Sequence, residues 1–217
     1  MRAVLFDLDG VLVDSYGAHM RSWRRLAAEE ELPFSERDFA RSFGRTSRES
    51  IATYWPGRAS DAARLDARKE ALFRDEVSAA FPAMDGGREL VRALHAAGFG
   101  LALASSAPPD NVELALERLA LRDCFRTVVT GHDVQRGKPD PQVFLLAAER
   151  LGVPPARCVV GEDAPVGVAA AHAGGMKAVA LLSTGRRRED FDAVKPELLV
   201  GSLGEISPAA FDRLLAA

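Results

Sequence analysis

Two aspartates separated by one residue, Asp7 and Asp9, follow a short apolar run, Ala3-Val4-Leu5-Phe6, and lead into Gly10-Val11. In an extended chain alternate side chains share a face, so both carboxylates can converge where a strand ends and hold a metal between them. Buried together, they need a cation or a proton to offset their charge. The same residues also suit a plain turn, since Asp-Gly is favoured there. A calcium loop fits less well, because that pattern wants another oxygen ligand where Val11 stands and a glycine directly after it.

Other groups with chemical potential follow apolar runs of their own. Ser105-Ser106 closes the run 99–104, and Glu162-Asp163 follows Gly161 at the end of 158–161. Lys138 sits in Arg136-Gly137-Lys138-Pro139-Asp140-Pro141, just ahead of a helical pattern. The chain has 24 arginines and only four lysines, at 69, 138, 177 and 195, so a lysine inside a motif is conspicuous. In parallel α/β sheets ligands bind outside the carboxyl ends of the strands, which puts these groups on one side. Carboxylate oxygens favour magnesium, which keeps waters and is often completed by a substrate phosphate. A phosphoryl group wants a cation, an ammonium and hydrogen-bond donors, and this set offers all of them.

The elements that must position these residues come in two styles. From about 15 to 80 the chain is rich in charge and alanine at helical spacing. Trp23, Leu26 and Ala27 share one helical face, as do Leu65, Leu72 and Phe73, which suits a bundle of about four helices interrupted at Pro56-Gly57. From 81 onward helices alternate with short apolar strands. Helices are expected at 87–97, 110–119, 141–151 and 164–173, and strands at 99–104, 127–130, 158–161 and 178–182. The last helix has Pro165 in its first turn and Gly174 just past its end. Such alternation implies βαβ units and a mostly parallel sheet. The expected organisation is an α/β core from 1–14 and 82–217, with a helical domain at 15–81 inserted into it.

With 217 residues, 47% hydrophobic content and a formal charge of −3, the chain can bury one substantial core plus a small second domain. That balance carries no nucleic-acid footprint. No uninterrupted apolar stretch approaches the roughly 20 residues that span a bilayer, so no membrane association and a cytoplasmic setting are expected. Cys124 and Cys158 lack metal-ligand spacing and read as reduced thiols. A monomer acting on a small phosphorylated metabolite is the expectation for its partners.

Taken in register, the four motifs resemble the haloacid dehalogenase-like superfamily, in the branch of β-phosphoglucomutase and related sugar-phosphate and phosphoglycolate phosphatases. They are Asp-x-Asp-x-Val at 7–11, Ser105 at a strand end, Lys138 before Pro-x-Pro, and Glu162-Asp163 after Gly161. The resemblance implies a Rossmann-like, doubly wound parallel core of five strands with a helical cap inserted after the first motif. It implies Asp7 as nucleophile, Asp9 as general acid and base, and Ser105 and Lys138 as groups that hold the phosphoryl oxygens. Ser106 would join them in binding substrate. Mg2+ would be held by Asp7, the Asp9 carbonyl, Asp163 and Glu162. In the helical domain His19 and Arg48 match positions that handle protons and grip the distal phosphate.

The second carboxylate, Asp9, argues against the haloalkanoate dehalogenases, which attack carbon and have no ester oxygen to protonate. It argues likewise against the phosphonoacetaldehyde hydrolases, which use a cap lysine; here only Lys69 is present, distant in sequence from the point where the helical domain begins. The implied activity is a Mg2+-dependent phosphatase working through an aspartyl-phosphate. The alternatives are a hexose-phosphate mutase of the β-phosphoglucomutase type and a non-catalytic regulatory protein. Mutases carry a lysine just before Arg48, where this chain has Gly44. His95, His132 and His172 have no motif context, and Arg186-Arg187-Arg188 reads as a solvated loop.

Overall fold

The computed structural model describes residues 1–216. It opens with β1 (Ala3–Phe6), whose four residues are all buried. A strand covered on both faces needs such a continuous apolar run rather than an alternating one. The remaining strands are β2 (Gly100–Ala104), β3 (Thr127–Val129), β4 (Cys158–Glu162), β5 (Lys177–Leu181) and β6 (Leu198–Val200). They form one six-stranded sheet in the order β3-β2-β1-β4-β5-β6, every pair parallel. The strand order reverses direction at β1, between β2 and β4, which is where a doubly wound sheet opens a crevice.

The chain separates into two compact units, 1–14 with 83–217, and 15–82. In the first, Val13 pairs antiparallel with Ala83, so the outgoing and returning segments run side by side. This α/β unit carries α5 (Gly87–Ala96), α6 (Pro109–Leu119), α7 (Gln142–Leu151), α8 (Pro165–Ala173) and α9 (Pro208–Ala216), after the four helices of the other unit. Its core joins apolar residues of β1, β2, β4 and β5 to Phe144, Ala147, Leu151 and Val168 from α7 and α8.

The helical unit contains α1 (Tyr16–Glu29), α2 (Glu36–Ser42), α3 (Ser47–Tyr54) and α4 (Ala62–Ser78). A 3-10 turn at Pro56–Asp61 falls at the expected Pro-Gly break. Trp23, Leu26, Ile51, Trp55, Leu65 and Leu72 form its own core. Arg21 pairs with Glu76, Arg68 with Glu29 and Arg64 with Glu30. The pairs run in opposite order along α1 and α4, so these helices are antiparallel. The α3 start is fixed by a capping box between Thr46 and Glu49, which satisfies amides that no helical carbonyl reaches.

Three features depart from the sequence expectation, the first being α9, which follows the last expected element. The sheet has six strands rather than five, because β6 is three residues long with Leu198 and Leu199 only half-buried, too short to give a pattern. The expected strand boundaries also move by one residue, as at β4, which extends to Glu162. Among the described helices none is long and apolar enough to cross a membrane.

Candidate active site

The candidate site lies at the carboxyl ends of the central strands. Phe6 stands opposite Gly161 in the β1–β4 register, and the Asp7 amide donates to the Gly161 carbonyl at 3.0 Å, so Asp7 emerges next to Glu162. Beyond it the chain coils tightly, with the Leu8 carbonyl accepting from the amides of Val11, Leu12 and Val13. Gly10 has φ +75°, and a Cβ there would overlap the Asp163 carboxylate. This glycine is therefore required twice, for the backbone conformation and for the close approach of the two loops.

Lys138 is the buried centre of charge. Its Nζ lies 3.1 Å from Asp7 Oδ1, pairs closely with Glu162 Oε1, and sits 4.9 Å from the Phe144 ring centroid. Its loop is stapled from α7, where Gln142 Oε1 accepts the amides of Gln135 and Arg136 at 2.9 Å each. Glu162 is fixed in turn, its Oε2 accepting the amides of Asp163 and Ala164 at 2.8 Å. Gly167 on α8 leaves the room that this carboxylate occupies.

Asp163 is fully buried; its Oδ2 accepts from Thr184 Oγ1 at 2.8 Å, while its Oδ1 is buried with no hydrogen-bond partner. Oxygens of Asp7, Glu162 and Asp163 lie within 4.8 Å of one another. Three carboxylates thus face one ammonium. Burial, opposed by Lys138, pushes the Asp7 carboxyl up to about 7. Burial, reinforced by Glu162, raises Asp163 well above the usual carboxylate range. Burial also works against the Lys138 charge, but Asp7 and Glu162 outweigh it and hold the ammonium protonated. An all-oxygen set with excess negative charge and an unpartnered buried oxygen fits a hard divalent cation such as Mg2+.

Ser105 follows β2 and is buried; its Oγ accepts the Ala107 amide at 3.1 Å, which shapes the turn at Ser106. Asp9 is half-buried in the turn after β1 and makes a bridge with Val13. The structure therefore places Asp7, Asp9, Ser105, Ser106, Lys138, Glu162 and Asp163 on strand ends or adjoining loops of one unit, and joins Asp7, Lys138, Glu162 and Asp163 directly. His19 and Arg48 belong to the helical unit. There His19 is buried, stacked on Phe73 at 3.9 Å, with Nδ1 2.6 Å from Lys69 Nζ. Lys69 also pairs with Glu70 at 2.9 Å, and Glu70 accepts from Ser47 Oγ at 2.5 Å. Arg48 is exposed and pairs with Asp66 at 3.1 Å.

Sequence reasoning passed over Thr184, Gly167, Lys69 and Glu70. Thr184 follows β5, so the same strand-end rule that found Ser105 could have found it. Lys69 is distant from His19 along the chain, yet α1–α4 packing puts the two side chains together near the start of the helical unit. Of the arginine run, Arg187 and Arg188 are exposed and Arg186 is half-buried. Cys124 and Cys158 are both free, Cys158 buried and Cys124 half-buried.

A family model described as haloacid dehalogenase-like hydrolase matches residues 1–175, and the chain belongs to this family of hydrolases. It is 32% identical over 219 residues to a phosphorylated carbohydrates phosphatase of Thermotoga maritima, covering 95% of this chain and 100% of that one. It is 33% identical over 188 residues to a β-phosphoglucomutase of Bacillus subtilis, covering 82% of each. The fold matches a crystal structure of β-phosphoglucomutase from Clostridium difficile with a TM-score of 0.88 at 22% identity, covering 100% of this chain and 97% of that one.

Proposed function

We propose that this protein is a Mg2+-dependent phosphatase that hydrolyses a small phosphorylated metabolite, a sugar phosphate or a phosphoglycolate-like ester, through an aspartyl-phosphate on Asp7. The observation that carries this reading is the buried cluster of Asp7, Lys138, Glu162 and Asp163, with its excess of negative charge and the unpartnered Asp163 Oδ1. Family membership and the phosphatase at 32% identity support it.

In the first step an Asp7 oxygen attacks phosphorus, the ester bond breaks, and Asp9 gives its proton to the departing alkoxide. In the second, Asp9 takes a proton from water as the water oxygen attacks phosphorus, which frees inorganic phosphate and regenerates Asp7. Lys138 favours the ionised form of Asp7 against the larger effect of burial and balances charge gathering on the phosphoryl oxygens. Ser105 and Ser106 supply hydrogen bonds to those oxygens. Asp7, Asp163, Glu162 and the Asp9 carbonyl would hold the Mg2+, whose charge would screen nucleophile from phosphoryl group. The helical unit is assigned the role of a cap, with His19 and Arg48 gripping the rest of the substrate.

The mutase at 33% identity supports a second reading, in which the phosphoryl group on Asp7 passes to another sugar hydroxyl. Phosphate release from sugar phosphates, phosphoglycolate and nucleotides, with and without chelator, tests the first reading. β-Glucose 1-phosphate separates the two, free phosphate marking hydrolysis and glucose 6-phosphate marking transfer. Asp7→Asn should abolish turnover with the fold intact; normal activity in that variant would exclude the mechanism.

A further inference from the structure

The loop after β5 places two hydroxyls against the acid cluster from a side that the four motifs do not supply. Thr184 Oγ1 donates to Asp163 Oδ2 at 2.8 Å, and Ser183 Oγ donates to the Gly10 carbonyl at 2.5 Å. Together they tie the β5 loop to both acid-bearing loops, the turn after Asp9 and the turn after Glu162. Thr184 holds φ +56°, a left-handed conformation that costs a β-branched residue about 1–2 kcal/mol and persists only where its surroundings enforce it. The hydroxyl is what that conformation delivers.

A carboxylate with one oxygen engaged can turn only by breaking that bond. With Oδ2 on Thr184, Asp163 keeps Oδ1 as the oxygen without a partner, in a carboxylate that has an oxygen within 4.8 Å of oxygens of Asp7 and Glu162. We propose that Thr184 is a positioning residue for the metal, orienting Asp163 so that Oδ1 is the ligand oxygen. The proposal rests on the metal reading above. It assigns Thr184 no contact with substrate.

Outer-shell partners of metal ligands change affinity by about 10–100-fold when removed. Mn2+ binding to the chelator-stripped full chain, followed by the electron paramagnetic resonance signal of the free ion, measures this without turnover. Thr184→Val keeps the branched side chain and the backbone strain but loses the hydroxyl; it should weaken Mn2+ binding by about 10–100-fold. Thr184→Ser should bind like the parent. Thr184→Gly relaxes the positive φ, so it folds at least as readily, and it should show the same weakening as valine. Parent-like binding by Thr184→Val or Thr184→Gly overturns the positioning role alone. A parent chain that binds no Mn2+ overturns the metal reading and this proposal with it.

Discussion

Lys138→Met puts the electrostatics of the site to a direct test. The lysine and Glu162 side chains are each 1% exposed and Asp7 is 5% exposed, so removing the ammonium strands carboxylates with no water to screen them. Breaking a buried pair by deleting one partner costs about 3–5 kcal/mol. For a chain of this size that is a fall in melting temperature of about 6–20 °C. Calorimetry in chelator at pH 8 reads the whole molecule. Both tryptophans, Trp23 and Trp55, sit in the helical unit's core, so fluorescence does not read the sheet; hydrogen exchange in β1 and β4 does.

The penalty should shrink at pH 5, where the stranded carboxyls can take up protons. Lys138→Met combined with Glu162→Gln should regain at least about 1 kcal/mol at pH 8, since one stranded charge is gone while the amide oxygen still accepts from Asp163 and Ala164. Catalysis should stay lost in both variants. Lys138→Met melting with the parent at pH 8 would refute the account of Lys138 as the cluster's internal counter-charge.

Three other outcomes follow from the same contacts. Asp7 titrates near 3.8 unfolded and about 7 folded, so the metal-free protein holds this contribution in full below pH 4 and loses it as pH rises through 7. The fall is about 4 kcal/mol, and Mg2+ should raise the melting temperature more at pH 8 than at pH 5; a flat profile in chelator would contradict it. Gly167→Ala places a methyl where the Glu162 carboxylate lies and should lower kcat/KM more than tenfold, roughly the scale of outer-shell changes, while Gly57→Ala, with open space around it, should be silent. Lys69→Met leaves Glu70 buried without its ammonium and should destabilise the helical unit by about 3–5 kcal/mol, read by tryptophan fluorescence in urea.

The groups legible in the sequence share one property: each follows an apolar run long enough to be seen as a strand. Asp7 after β1, Ser105 after β2 and Asp163 after β4 could be placed on one side because a parallel sheet aligns its carboxyl ends. Lys138 was visible through its rarity, although nothing in its spacing showed that Asp7 and Glu162 would close on it. Thr184 escaped notice because a hydroxyl beside glycine reads as a turn, and only the β5 position next to β4 brings it to Asp163. The edge strand β6 leaves no pattern, having three residues and one fully buried side chain; α9 does carry one, Phe211, Leu214 and Leu215 at helical spacing after Pro208, and it lies beyond the last element expected from the sequence.

Lys69 and Gly44 shape the helical unit in two different ways, one through a long-range contact and one through its backbone. Lys69 lies fifty residues from His19 yet bonds its Nδ1, and an ammonium in that contact can only donate. Lys69, His19 and Glu70 are thereby joined in one buried chain of contacts inside the helical unit. Gly44 has φ +96°, a conformation open to glycine and strained for lysine. A lysine at position 44 would carry the strain of that φ, about 1–2 kcal/mol, so Gly44→Lys should lower the stability of the helical unit in urea by about that amount, and a parent-like urea midpoint would refute the strain.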